Sequence, residues 1–222
     1  MGTDYEESSF AGQWLRRIYT EAFRRLGIPV RVLVYPTLRL SAMADRGALD
    51  GEFARFEAYG AVHPGLVRVE EPLFSTQLAL FTAAPGLSVA RLEDLPTARL
   101  RAEYRRGVVV CEKALKPWQP AARVFDVTTT GEGLANLLQG PPDLFLCETD
   151  LAVSSALRSP KFKGVTAIRQ MLAIGEPLPL YPYLHSRHAE LAPRLAATLK
   201  RMKTEGLIER YRHDTLQAME PR

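Results

Sequence analysis

The chain has 222 residues, 46% of them hydrophobic and 24% charged, the balance of a globular protein with a full core, which excludes disordered and fibrous classes. The formal net charge of +4 comes from scattered arginines, so the densest basic stretches, residues 16–25 and 99–106, read as solvated helix faces, and no nucleic-acid partner is expected. No apolar run approaches the roughly 18 residues of a transmembrane span.

The first residues, Met1 to Glu7, do not form a signal peptide, which leaves a cytosolic chain or a secreted one whose signal has been removed. Ser8 or Ser9 caps a predicted helix over Gly12–Leu26, whose apolar residues recur at three and four positions until Gly27 stops it. Ile28–Tyr35 reads as a strand ended by Pro36, Leu38–Ala44 as a short helix closed at Gly47, and Leu49–Phe53, Leu66–Val69 and Thr76–Thr82 as strands. Leu92–Arg106 has helix-like spacing, and Gly107–Cys111 reads as a buried strand breaking into Glu112 and Lys113. Arg123–Val127 is a strand, Thr130 caps a helix over Gly131–Leu138, Asp143–Cys147 is a second strand that breaks into polar residues, and Leu151–Leu157 is helical. Ile168–Ile174 and Leu178–Leu184 are extended, and two helices, His188–Met202 and Leu207–Met219, close the chain around Gly206.

Strands that alternate with helices imply parallel sheets. Two strands ending side by side would place Cys111, Glu112, Lys113, Cys147 and Glu148 at one rim, and in open α/β sheets ligands bind at the C-terminal rim. Two cysteines are an even number that suits pairing in an oxidising compartment, although the count alone leaves free thiols equally open. No cofactor is expected, since Gly-x-Ser-x-Gly, P-loop and Gly-x-Gly-x-x-Gly patterns are all missing, and no metal, since His63, His185, His188 and His213 have no ligand spacing. His185 and His188 read as a cap or packing feature.

The order of elements, with Gly47-Ala-Leu-Asp50-Gly51, Glu71-Pro72-Leu73, Leu92-Glu-Asp-Leu95 before Gly107-Val-Val-Val110, and Leu138-x-Gly140 before Asp143-Leu-Phe-Leu146, resembles the type II periplasmic solute-binding proteins, specifically extracellular solute-binding family 3, which binds polar amino acids for ABC import. Arg39, three residues after Pro36, with Asp50-Gly51-Glu52-x-x-Arg55 and Tyr183-Leu184-His185 resembles a divergent subset without an assigned ligand. The resemblance implies an α/β fold of two lobes, residues 1–83 plus 181–222 and residues 84–180, each a mostly parallel sheet flanked by helices. Two hinge strands would join the lobes, with the ligand held between them.

The resemblance also implies site residues. Asp4 and Glu148 stand where family members hold a ligand's ammonium group, a fitting task for a carboxylate. Arg55 stands where amino-acid binders offer small hydroxyl residues; its fork suits a carboxylate or phosphate, and it could equally pair with Glu52 or Glu57. Arg39 lies near the implied site, Tyr5, Phe56 and Trp118 could stack on a ligand, and Cys111 would line the lobe-two wall. Lys113-Ala114 replaces the family's anion-binding Gly-Thr turn, with Lys113 as a point charge in its place. Cys111 and Cys147 would sit on adjacent strand ends, within reach of a disulfide. The expectation is a monomeric periplasmic module that binds a small polar, anionic or zwitterionic molecule, without catalysis, for an ABC permease or a membrane sensor. The alternatives are a lyase or dehydratase using Glu112 or Glu148 as base beside Lys113, and a module that binds only a protein partner.

Overall fold

The structure, a computed structural model, describes residues 1–95, 100–118 and 123–219. It divides into two compact units, one of residues 1–75 and 179–222, the other of residues 76–178. The crossings fall at Ser75/Thr76 and Leu178/Pro179 rather than at the expected 83/84 and 180/181.

The first unit begins with β1 (Gly2–Thr3), α1 (Phe10–Arg25), β2 (Leu33–Val34), α2 (Thr37–Asp45), β3 (Gly51–Phe56) and β4 (Leu66–Arg68). Ser9 caps α1 by accepting from the Gly12 amide at 3.1 Å, and Gly27, at φ 70°, supplies the left-handed residue that ends it. β1 pairs parallel with both β2 and β3. Of the expected strand over residues 28–35 only Leu33–Val34 enters the sheet. The remaining strands among the described residues are β5 (Phe74–Thr82), β6 (Arg101–Arg105), β7 (Arg123–Val127), β8 (Leu144–Thr149) and β9 (Arg169–His185). The C-terminal end of β9 lies antiparallel to β3 on one side and to β4 on the other. β9 merges the two extended stretches read from the sequence into one strand of 17 residues.

The helices numbered on from α2 are α3 (Val109–Leu115), α4 (Thr130–Gln139), α5 (Asp150–Leu157), α6 (Leu191–Thr204) and α7 (Leu207–Met219). In the first unit Trp14, Ile18 and Tyr19 of α1 are buried with Leu195, Leu199 and Met202 of α6 and Ile208 of α7. The Trp14 indole donates to the Ile208 carbonyl at 3.1 Å, and the Tyr19 ring stacks on Phe53 at 4.0 Å. The stripe read at helical spacing is therefore a core face.

In the second unit β6 pairs parallel with both β7 and β8, and β5 runs antiparallel to β8. β8 alternates with period two: Phe145 and Cys147 join the cluster of Leu80, Ala102 and Leu115, while Leu144 and Leu146 join that of Phe81, Leu134 and Val153. Two expectations fail here. Leu92–Arg106 is not a helix but a 3-10 turn over Leu92–Asp94 followed by β6, with residues 96–99 outside those described. Gly107–Cys111 is not a strand, because the chain turns at Gly107 (φ 88°) and α3 begins at Val109. Cys111 and Cys147 form a disulfide with Cα atoms 5.8 Å apart, tying helix to strand rather than one strand end to another.

Candidate functional site

Each unit gathers charged side chains at the C-terminal ends of its parallel strands. In the first, Asp4 follows β1, and Glu52 and Arg55 lie on β3. Residues three apart on a regular strand point to opposite faces. The register of β3 against β9 shifts between Glu52 and Arg55, and this irregularity lets the two side chains meet. Arg55 Nε donates to Glu52 Oε2 at 2.5 Å, and Arg55 Nη1 donates to Asp4 Oδ1 at 3.4 Å. Tyr59 OH donates to Glu52 Oε1 at 2.7 Å, and Thr37 Oγ1, in the first turn of α2, donates to Asp4 Oδ2 at 2.8 Å. The Glu52 side chain is wholly buried, and those of Asp4 and Arg55 keep 7% and 11% exposure. Burial works against the Arg55 charge, but Asp4 and Glu52 outweigh it and raise its pKa above the ordinary arginine value. Burial also pushes the Tyr59 phenol up. Arg55 Nη2 is buried and has no hydrogen-bond partner among the described residues.

In the second unit β6 ends at Arg105, β7 at Val127 and β8 at Thr149. Arg105 Nε donates to Glu148 Oε2 at 2.7 Å, Thr130 Oγ1 donates to the same oxygen at 2.9 Å, and the Thr149 amide donates to Oε1 at 2.9 Å. The Glu148 side chain is wholly buried, and that of Arg105 is 12% exposed. The cap of α4 is Thr129, which accepts from the Glu132 amide at 3.0 Å, so Thr130 is left to serve Glu148 and is not the expected cap.

The residues singled out from the sequence therefore separate. Asp4 and Arg55 come together, with the Glu52 pairing foreseen for Arg55. Glu148 stands at its rim, but its partner is Arg105, not Lys113, which is exposed on α3 with no hydrogen bond to Glu148 among the described residues. The strand-to-helix turn assigned to Lys113-Ala114 lies earlier, at Gly107. Cys111 is fully buried and bonded to Cys147, so it presents no thiol to a ligand, which corrects its placement on a ligand-lining wall. Arg39 is exposed on α2, its guanidinium 4.8 Å from the Tyr35 ring centroid. Tyr5 and Phe56 are half-buried, and the Phe56 carbonyl accepts from Tyr183 OH at 3.2 Å. The Trp118 side chain lies outside the described residues. His188 Nε2 meets Asp50 at 2.9 Å, and His185 caps the turn that follows it by accepting from the Arg187 amide at 3.3 Å. Arg105 and Thr130 were not foreseen as site residues: Arg105 sat within a basic stretch read as a helix face.

Among the described residues, no three His, Cys, Asp or Glu side chains gather as a metal ion would require, and no helix is long and apolar enough to cross a membrane. No family model matches the chain. An uncharacterized protein of Shewanella oneidensis is 32% identical over 212 residues, covering 96% of this chain and 79% of that protein. Solved structures share the fold at low identity. The amino acid ABC transporter substrate-binding protein AbpA of Streptococcus pneumoniae, bound to L-arginine, superposes with a TM-score of 0.76 at 12% identity, over 94% of this chain and 85% of that one. An ancestral amino acid-binding protein described as a precursor of cyclohexadienyl dehydratase gives 0.77 at 16%, over 96% and 92%. A histidine kinase sensor domain similar to periplasmic binding proteins gives 0.74 at 17%, over 97% and 93%. The chain thus has the two-lobed type II periplasmic solute-binding fold, and it belongs to one family with the Shewanella oneidensis protein.

Proposed function

We propose that the chain is a binding module for a small polar molecule, anionic or zwitterionic, and that it returns the molecule unchanged. The observation behind this reading is the charged cluster at each set of parallel strand ends, Asp4–Glu52–Arg55–Tyr59 in one unit and Arg105–Thr130–Glu148 in the other. Strand C-termini are where open α/β sheets take ligands, and the solved likenesses include an arginine-bound transporter component. Arg39, exposed on α2, is the further cation proposed to meet an anionic group; Lys113, on α3, lies away from the strand ends. Tyr5 and Phe56 are the proposed apolar neighbours.

A role outside the cytoplasm, read out by an ABC permease or a membrane sensor, is part of the proposal. The Cys111–Cys147 disulfide supports the compartment, because such bonds persist in oxidising surroundings. The likeness to a histidine kinase sensor domain supports sensing alongside transport. A lyase or dehydratase reading is less well supported: Glu148, its candidate base, is wholly buried and already accepts from three protein donors.

Thermal-shift screening of the purified chain against amino acids, hydroxy acids, oxo acids and phosphorylated metabolites tests the reading, followed by calorimetry on each hit. At least one compound should raise the melting temperature by several degrees and come back unchanged by NMR. A screen without a hit sinks the binding reading, and consumption of the hit would make the chain an enzyme.

A further inference from the structure

The chain passes between its two units at Ser75/Thr76 and at Leu178/Pro179, and the residues beside the two crossings have unequal freedom. Pro177 and Pro179 flank Leu178. Proline fixes its own φ and holds the residue before it in extended backbone, so Glu176, Pro177, Leu178 and Pro179 form a stiff run. The nearest preceding residue free of this constraint is Gly175, the one glycine of β9, at φ 63°. At the other crossing Ser75 is exposed, but the residues after it are held. Asp150 Oδ1, at the start of α5, accepts from Thr76 Oγ1 at 2.5 Å, from the Gln77 amide at 3.0 Å and from the Leu151 amide at 2.6 Å. Thr76 is buried.

One side chain ties the two crossing segments together. Gln77 Nε2 donates to the Ile174 carbonyl at 2.9 Å and to the Gly175 carbonyl at 3.0 Å, and it also meets the Leu78 carbonyl at 3.0 Å. In a regular strand successive carbonyls point to opposite edges, so one nitrogen does not reach two of them. The left-handed backbone at Gly175 brings both to the same side, a conformation that glycine takes without steric cost. Thr76, Gln77, Asp150, Ile174 and Gly175 all lie within the second unit. Asp150 thus seats Gln77, and Gln77 holds the glycine at the foot of the stiff run.

We infer that Gln77 is the lock of the joint between the units and that Gly175 is its pivot. While the side-chain amide holds both carbonyls, Gly175 keeps one backbone conformation and the two crossing segments move together. Released from Gln77, Gly175 changes φ and ψ, and the stiff run carries that change to Pro179 as a swing. Gln77 and Asp150 are positioning residues that need touch no ligand, so the joint works this way whether or not the binding reading above holds.

Pulsed electron–electron double resonance on the full chain tests this, with spin labels on Arg194→Cys in the first unit and Lys161→Cys in the second, both exposed positions. The native cysteines are bonded to each other and stay unlabelled. Gln77→Leu, which keeps the bulk of the side chain and removes its donor, should give a distance distribution at least twofold wider than the labelled chain without it. Gly175→Val acts on the lock from the other side. No atom lies within 4 Å of the added Cβ, but a β-branched residue does not settle at φ 63°, so the two carbonyls part and the distribution should widen likewise. This second variant decides the matter should Gln77→Leu fail to fold. Thr82→Val removes a buried bond in the same unit, from Thr82 Oγ1 to the Leu144 carbonyl, and should leave the width unchanged. An unchanged width in Gln77→Leu or in Gly175→Val overturns the inference. So does an equal widening by Thr82→Val, which would mark a general loosening of the unit instead of a lock.

Discussion

Arg55 is the residue on which the first rim depends. Its guanidinium lies between two carboxylates, one of them wholly buried. Removing one partner of a buried ion pair is costly because the other charge stays behind, on the order of 3–5 kcal/mol. Arg55→Ala should therefore lower unfolding stability by about that much in urea titrations. Adding Glu52→Gln should recover part of the loss, since the uncompensated charge goes with it. Glu21 shows a residue-scale effect with the opposite economy. Hydrogen bonds from Arg24 and Arg25 hold its carboxyl down at about 2, below the ordinary 4.5. A depressed carboxylate stabilises the fold above its unfolded value and loses that contribution as pH falls through its folded value. The Glu21 contribution should thus be complete well above pH 4.5, shrink as pH falls from there toward 2, and be gone only below about 2. Being a helix-surface pair it is small, under about 1 kcal/mol. Comparing wild type with Glu21→Gln in urea at pH 6 and pH 2.5 checks this: the difference seen at pH 6 should be much smaller at pH 2.5.

At the scale of elements, β6 and α3 show where sequence pattern stops being informative. Most elements were legible in kind: α1 from its apolar stripe, β7 and α7 with the same bounds as the expectation. β6 was not, because three of its five residues are charged, yet it lies between β7 and β8. It tolerates them because each finds a partner from a distant element: Arg101 with Asp143, Glu103 with Asn136, Arg105 with Glu148. Those partners lie 33 to 43 residues away, beyond any local pattern. Missing β6 moved the next strand onto Gly107–Cys111 and made Lys113, not Arg105, the rim residue. The first rim was better read, since Arg55 follows Leu49–Phe53, a strand that was recognised, and Asp4 was placed by the family resemblance. The irregularity between Glu52 and Arg55 against β9 was invisible in the sequence. The disulfide joins α3 to β8 across 36 residues and lies wholly within an apolar cluster. Loop-closure entropy gives such a bond about 3–4 kcal/mol. Replacing both cysteines with Ala should lower stability by that order in urea, and a reductant should have no further effect on the double variant.

For the whole molecule, the two units have separate cores, and the bond lies in only one of them. Reduction should therefore act unevenly. With the disulfide opened, amides of β6 and β8 should exchange with solvent faster, while those of α1 and β3 keep their protection in hydrogen-exchange mass spectrometry. Uniform loss of protection across both units would mean that they unfold as one cooperative block.

The division of the chain has a consequence for its birth. Residues 76–178 form a contiguous unit, whereas the other is split, its closing segment of residues 179–222 including α6, α7 and the end of β9. During synthesis the contiguous unit leaves the ribosome complete, while its companion still lacks the strand that pairs with both β3 and β4. Until then α1 has exposed Trp14, Ile18 and Tyr19 without the helices that bury them. A chain emerging in order is thus most open to aggregation over α1, rather than over residues 76–178, until residues 179–222 arrive.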